Sequence, residues 1–139
     1  MIDARSHAPP EVLPIASDQD VVRVRQRVRT AAVGAELSLV DQTKVITAAS
    51  ELARNTLTHG GGGHAELCQV VNGRKAGVRV EFVDHGPGIV DVDLALVDGY
   101  TTGGGLGLGL SGARRLVDEF EIETAVGEGT RVTVVKWAR

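Results

Sequence analysis

The stretch Thr101-Thr102-Gly103-Gly104-Gly105-Leu106-Gly107-Leu108-Gly109-Leu110 constrains this chain more than any other. Glycine lets the backbone take left-handed conformations and approach another group closely, because no Cβ stands in the way. A flexible linker, however, has no use for leucines at 106, 108 and 110. The run continues into a helical pattern: Leu106, Leu110, Ala113, Val117 and Phe120 keep a 4-3-4-3 spacing, which predicts one buried face on a helix reaching Phe120. Unshielded backbone N–H groups leading into a helix N-terminus suit phosphate oxygens. The stretch therefore reads as a nucleotide-phosphate site.

The rest of the chain supplies a frame for that site. With 139 residues, one core-bearing domain over residues 11–139 is expected, preceded by a loose polar arm over residues 1–10 that ends in Pro9-Pro10. A net charge of −3 argues against a broad nucleic-acid-binding face. Cys68 is the single cysteine, which excludes an internal disulfide and reads as a small buried hydrophobe. The opening Met-Ile-Asp-Ala-Arg-Ser-His has no apolar signal core, and no run is long enough to span a membrane, so a cytoplasmic location is expected.

In chain order, a short extended piece over Glu11–Ala16 precedes Ser17-Asp18-Gln19-Asp20, which resembles a capping box. Val21, Val24, Val28, Ala31 or Ala32, and Ala35 then share one helical face, while Arg23, Arg25, Arg27 and Arg29 spread around the other side. Ser38 offers a second cap, and a helix from about Val40 to His59 carries two stripes. Val45, Ile46, Ala49, Leu52, Ala53 and Leu57 form the apolar one; Lys44, Ala48, Glu51 and Asn55 form the other. Gly60–Gly63 stops that helix. Two strands, His64–Val71 and Gly77–Val83, follow as a hairpin around Asn72-Gly73, and the second runs directly into Asp84-His85-Gly86-Pro87-Gly88-Ile89. A short helix over Asp91–Asp98, the glycine-rich hinge and its helix come next, and strands over Glu121–Val126 and Thr130–Trp137 close the chain. The expected architecture is an α/β (α+β) two-layer sandwich, one mixed sheet with helices on one face.

Four segments can carry chemistry. Glu51 and Asn55 place a carboxylate and an amide oxygen one turn apart on a helix, suited to a proton acceptor and a Mg²⁺ ligand beside phosphates. Asp84 stands at a strand end with glycine-made room for a flat ring, the glycine run faces phosphates, and Gly127-Glu128-Gly129-Thr130 lies on the final hairpin. Competing motifs fail. Gly107-Leu108-Gly109-Leu110-Ser111-Gly112 matches a dinucleotide fingerprint only as a bare pattern, because no strand precedes it. There is no Walker-type loop and no Gly-x-Ser-x-Gly elbow, and the four histidines share no metal-ligand spacing.

Taken in order, the four segments resemble the ATP site of the GHKL superfamily of gyrase-type ATPases, Hsp90, histidine kinases and small anti-sigma-type serine kinases. The spellings Ser50-Glu-Leu-Ala-Arg-Asn55, Asp98-Gly-Tyr-Thr-Thr-Gly-Gly-Gly-Leu-Gly, Arg115-Leu-Val-Asp-Glu-Phe120 and the ending through Lys136-Trp137-Ala-Arg139 are similar to those of the small stressosome switch kinases. The resemblance implies a Bergerat fold that binds ATP and Mg²⁺. Asn55 would hold Mg²⁺, and Glu51 would be base or orienter for the acceptor hydroxyl. Asp84 would accept from the adenine amino group with support from Thr130, and Gly86 and Gly88 would border the base. Gly103, Gly104, Gly105, Leu106, Gly107 and Gly109 would lie along the phosphates, with Leu108 and Leu110 packing.

It further implies a protein serine/threonine kinase acting on a STAS-domain antagonist and, once released, binding a PP2C-type phosphatase, with neither nucleic acid nor membrane as partner. Two alternatives stand beside it: an anti-sigma factor that sequesters a sigma subunit, and a nucleotide-gated binding module without turnover. A free-standing ATPase is a further, weaker one. The arginine-bearing first helix and Arg114-Arg115 are candidate docking surfaces. One departure from related sigma-binding kinases is that the segment between Tyr100 and Gly107 is short and holds no Lys or Arg. The terminal phosphate must then be met by Mg²⁺, by backbone N–H groups, or by Lys44, Arg54 or a partner.

Overall fold

Serines start both long helices. Ser17 Oγ accepts from the backbone N–H of Asp20 at 3.3 Å, and Asp20 Oδ2 reaches back to the N–H of Ala16 at 2.8 Å, launching α1 (Asp18–Gly34). Ser38 Oγ accepts from Asp41 N–H at 3.1 Å and launches α2 (Leu39–Thr58). These contacts belong to a computed structural model, which describes residues 6–7, 9–97 and 109–139. Between the helices, Glu36 takes the left-handed conformation (φ 62°), Leu37 N–H bonds Ala32 O and Glu36 N–H bonds Val33 O. This is a Schellman turn with glutamate where glycine is the usual occupant. Gly34, two residues earlier, is the last residue of α1 and lies against Gln69.

The strands are β1 (Ser6–His7), β2 (Glu11–Ile15), β3 (Gly63–Asn72), β4 (Lys75–Asp84), β5 (Glu119–Ala125) and β6 (Gly129–Trp137), with short helices α3 (Val92–Ala95) and α4 (Gly109–Arg115) between β4 and β5. The sheet runs β3-β4-β6-β5, with β1 and β2 both on the free edge of β3. Every pairing among the described residues is antiparallel, so the expected mixed sheet is corrected. Tight hairpins join β3 to β4 and β5 to β6, and such turns admit only antiparallel neighbours. Asn72 pairs with Lys75, and Gly73 at φ 63° leads the two-residue turn. Within the stretch read as a loose arm, Ser6 and His7 pair with Val71 and Val70.

Helices α1 and α2 cover the inner face. Val21, Val24 and Val28 from α1 and Val45, Ala49 and Leu52 from α2 pack with Leu67, Val78, Val80, Phe82, Val132 and Val134 of the sheet. Full burial of each valine, leucine or phenylalanine among them contributes about 1.5–3 kcal/mol. Ala48, expected on the polar stripe, is fully buried. The outer face carries a smaller cluster of Cys68, Val70, Val135 and Trp137. Cys68 is thus packed as expected, and burial pushes its thiol pKa up.

One helix is shorter than its periodicity predicts. α4 ends at Arg115, and Leu116 N–H closes a turn on Ala113 O. Asp118 N–H already bonds Val135 O, and Phe120 pairs with Val134 in β5. Leu110 and Ala113 make the helical part of the stripe, whereas Val117 and Phe120 reach the core from the turn and the strand. The spacing is satisfied by two elements in succession.

Candidate active site

A cavity of about 870 Å³ opens between the C-terminal half of α2, the loop after β4, α3, the start of α4 and the inner face of β6. Its volume lies within the range of small-molecule sites. Phe82, Ile89, Leu94, Leu110 and Val132 form apolar walls, and Glu51, Asn55, Asp84 and Thr130 supply polar groups. Glu51 and Asn55 are half-buried, each beside a core residue of the same helix, Leu52 or Thr56. The Thr56 hydroxyl is already donated to Leu52 O at 2.9 Å, which satisfies it within the helix.

The Asp84 end is built by close backbone packing. Asp84 Oδ1 accepts from Gly86 N–H at 2.9 Å. A Cβ on Gly60 would stand 2.3 Å from Asp84 Cγ, and one on Gly86 would stand 2.8 Å from Gly60 Cα. Gly129, at φ 93°, passes so close that a Cβ would meet Asp84 O at 2.1 Å. Glycine is needed here to let the end of α2, the loop after β4 and the last hairpin converge on one carboxylate. The hairpin also pins the loop: Gly127 N–H donates to Pro87 O at 2.8 Å, and Ile89 N–H to Thr124 Oγ1 at 3.0 Å. Thr124 gives its own proton to Gly129 O at 3.0 Å, so in the 2.9 Å contact between the two threonines Thr130 is the donor. Thr130 Oγ1 keeps its acceptor lone pairs for the cavity.

Of the expected residues that are described, all but Gly86 meet here. Glu51, Asn55, Asp84, Gly88, Gly109 and Thr130 line the cavity. Gly86 does not line it but holds Asp84 through its N–H. Gly109 enters α4 at φ 69°, and Leu110 both packs in the core and lines the cavity. Gly103, Gly104, Gly105, Leu106 and Gly107 lie outside the described residues. Arg54 lines the cavity, whereas Lys44 is not among its lining residues. Sequence reasoning missed Gly60 and Gly63, read only as a helix stop, and Thr124, whose partnership with Thr130 follows from their register in the β5–β6 hairpin. The run of four glycines after α2 was the available signal.

A second polar cluster lies at the other end of α2. Lys136, 3% exposed, places Nζ 3.5 Å from Asp41 Oδ1 and 3.3 Å from Asp118 Oδ1. Arg139 Nη2 adds a 2.9 Å contact to Asp118, and Asp118 Oδ2 accepts from Trp137 N–H at 2.7 Å. Partial burial alone would raise the Asp118 pKa, but the Trp137 N–H and the Lys136 and Arg139 charges outweigh it and hold the carboxyl below the usual range. No helix among the described residues is long and apolar enough to cross a membrane.

The amide oxygen of Asn55 is the kind of hard donor that Mg²⁺ accepts, and Mg²⁺ at phosphates needs only one or two protein oxygens. The glycine-made cradle around Asp84 and the apolar walls suit a flat base. Known proteins resemble the chain in sequence and in fold. The family described as histidine kinase-, DNA gyrase B-, and HSP90-like ATPases matches over residues 40–138. The chain is 42% identical over 125 residues to the serine/threonine-protein kinase RsbT of Bacillus subtilis, covering 90% of this chain and 94% of that protein. It is 30% identical over 97 residues to the anti-sigma F factor of a Thermoanaerobacter species, covering 66% of each. Its fold superposes on the crystal structure of the RsbU and RsbW domains of a Mycobacterium tuberculosis protein with a TM-score of 0.65 at 21% identity, over 95% of this chain and 33% of that one. The chain thus spans a third of that larger protein and about two thirds of the anti-sigma F factor. With the cavity, its polar groups and these likenesses in agreement, the chain belongs to the histidine kinase-, DNA gyrase B-, and HSP90-like (GHKL) ATPase family, in the branch of RsbT-type serine/threonine-protein kinases.

Proposed function

We propose that this chain is a cytoplasmic partner-switching kinase that transfers the γ-phosphoryl of Mg-ATP to a serine or threonine of a STAS-domain antagonist. Released from that antagonist, it binds and activates a PP2C-type phosphatase. The observation that carries the reading is the convergence of Glu51, Asn55, Asp84 and Thr130 on one cavity whose walls are otherwise apolar. Asp84 and Thr130 offer acceptor oxygens to the base end, and Gly109 marks where the glycine run joins the cavity. Asn55 would hold Mg²⁺, which would supply charge to offset the phosphates. The acceptor hydroxyl forms the new O–P bond as the bond to the ADP oxygen breaks, and Glu51 receives the hydroxyl proton.

The test is phosphoryl transfer from labelled Mg-ATP to STAS-domain proteins of the same genome, with Asn55→Ala as the inactive control. Label on a serine or threonine of one partner, absent with the control, supports the reading. Unchanged transfer by a Glu51→Ala/Asn55→Ala double variant sinks the mechanism, and ATP binding without any phosphoprotein points to a nucleotide-gated binding module. The likeness to an anti-sigma F factor favours one further reading, direct sequestration of a sigma subunit. Co-purification with a sigma factor distinguishes it.

A further inference from the structure

A nucleoside triphosphate brings several negative charges into a cavity already lined by the carboxylates of Glu51, Asp84 and Asp91. Mg²⁺ offsets part of this, and the segment from Thr101 to Leu110 has no lysine or arginine to offset the rest. Among the described lining residues, Arg54 is the sole guanidinium or ammonium; His59 is the only other basic side chain there. Lys44, the other candidate on the same helix, sits two turns before Glu51 and does not line the cavity.

Arg54 is also placed to be recruited. It directly precedes Asn55 and lies one turn beyond Glu51, at the edge of the face that carries both. Its side chain is 53% exposed and its ion pair is with Asp18, whose own side chain is 87% exposed, at 3.8 Å. An exposed pair of that length is worth about 0–1 kcal/mol, so the guanidinium leaves it readily. A guanidinium fork matches two phosphate oxygens at once, which a point charge cannot do.

Resting on the reading of this cavity as a nucleotide site, we infer that Arg54 leaves Asp18 and binds the terminal phosphate of the triphosphate. It is then the chain's own counter-charge to the phosphoryl group being transferred, the part that a basic lid would otherwise play.

The test is calorimetric binding of Mg-ADP and of a non-hydrolysable Mg-ATP analogue to the full chain and to Arg54→Ala and Arg54→Lys, with thermal unfolding of each variant as the folding control. Loss of one charge-assisted contact weakens triphosphate binding by about 10–100-fold in Arg54→Ala. Mg-ADP binding stays within about twofold, since the lost contact is to the γ-phosphate alone. Arg54→Lys, keeping the charge without the fork, falls between. An unchanged ratio of triphosphate to diphosphate affinity in Arg54→Ala overturns the inference. Failure of the unsubstituted chain to bind either nucleotide overturns the nucleotide reading itself, a separate and recognisable result.

Discussion

Asp41 and Glu51 stand on the same helix, α2, in opposite surroundings. Asp41 is 6% exposed, and the cluster around it pairs its charge with Lys136 and Arg139, next to Asp118. Glu51 is half-buried and faces a cavity, as does Asn55 one turn on. The first cluster replaces lost hydration with ion pairs and ties the start of α2 to the last strand and the turn before β5. The second keeps its polar atoms toward space that a ligand can enter. Charge at one end of the helix therefore serves the fold, and on the proposed reading charge at the other serves chemistry. Substitutions at the two ends should separate stability from activity.

The largest expected effect is at the cavity. Glu51→Gln lowers phosphotransfer by about 10²–10⁴-fold, the usual contribution of a positioned base, while the urea midpoint stays near that of the unsubstituted chain. A matching loss of stability would erase the contrast. At the other end, Lys136→Ala leaves two partly buried carboxylates short of a cation and destabilises the fold by about 3–5 kcal/mol in chemical denaturation. Nucleotide affinity of the fraction that remains folded is expected to hold. Gly60→Ala probes the boundary between the two behaviours. Its Cβ would overlap Asp84, so it costs about 1–3 kcal/mol and also weakens nucleotide binding, coupling both readouts at one position.

The pH dependence sharpens the same comparison. Because the folded Asp118 carboxyl titrates below its unfolded value, its contribution is fully present above that unfolded value, about pH 4, and is lost as pH falls through the folded pKa. Acid unfolding followed by circular dichroism should show a shallower decline for Asp118→Asn than for the unsubstituted chain. The smallest effect is at the turn between the long helices. Glu36→Gly relieves a left-handed glutamate, set against glycine's greater unfolded-state entropy, for a gain of at most about 1 kcal/mol in thermal unfolding.

Much of this arrangement was legible because local rules and tertiary packing agree. Ser17 and Ser38 cap the helices they were expected to cap, and Val21, Val24 and Val28 are buried as their spacing requires. Glu51 and Asn55 share a face because any helix places them so. Reading failed where two structures satisfy one pattern. Val117 and Phe120 fit a helical stripe, yet the ladder to Val134 and Val135 leaves Val117 in a turn and Phe120 in a strand. No local pattern marks Glu36 as left-handed; it is held so by the two hydrogen bonds of its turn and the burial of Leu37. Lys136, which the sequence marks only as part of a closing strand, is the most buried charged side chain among the described residues.

What the amino-acid sequence by itself determined is which polar groups line the cavity from the helix that carries Glu51 and Asn55 and from the strand end that presents Asp84. These follow from periodicity and caps, which act within a few residues. Only the tertiary structure decided that Gly60, Gly86 and Gly129 close around Asp84, that Thr124 sets the donor direction of Thr130, and that Asp41, Asp118 and Lys136 neutralise one another. Those relations join residues far apart in the chain. Their energies depend on which backbones approach closely enough to exclude a Cβ and on which charges lose water together, quantities that no local pattern encodes.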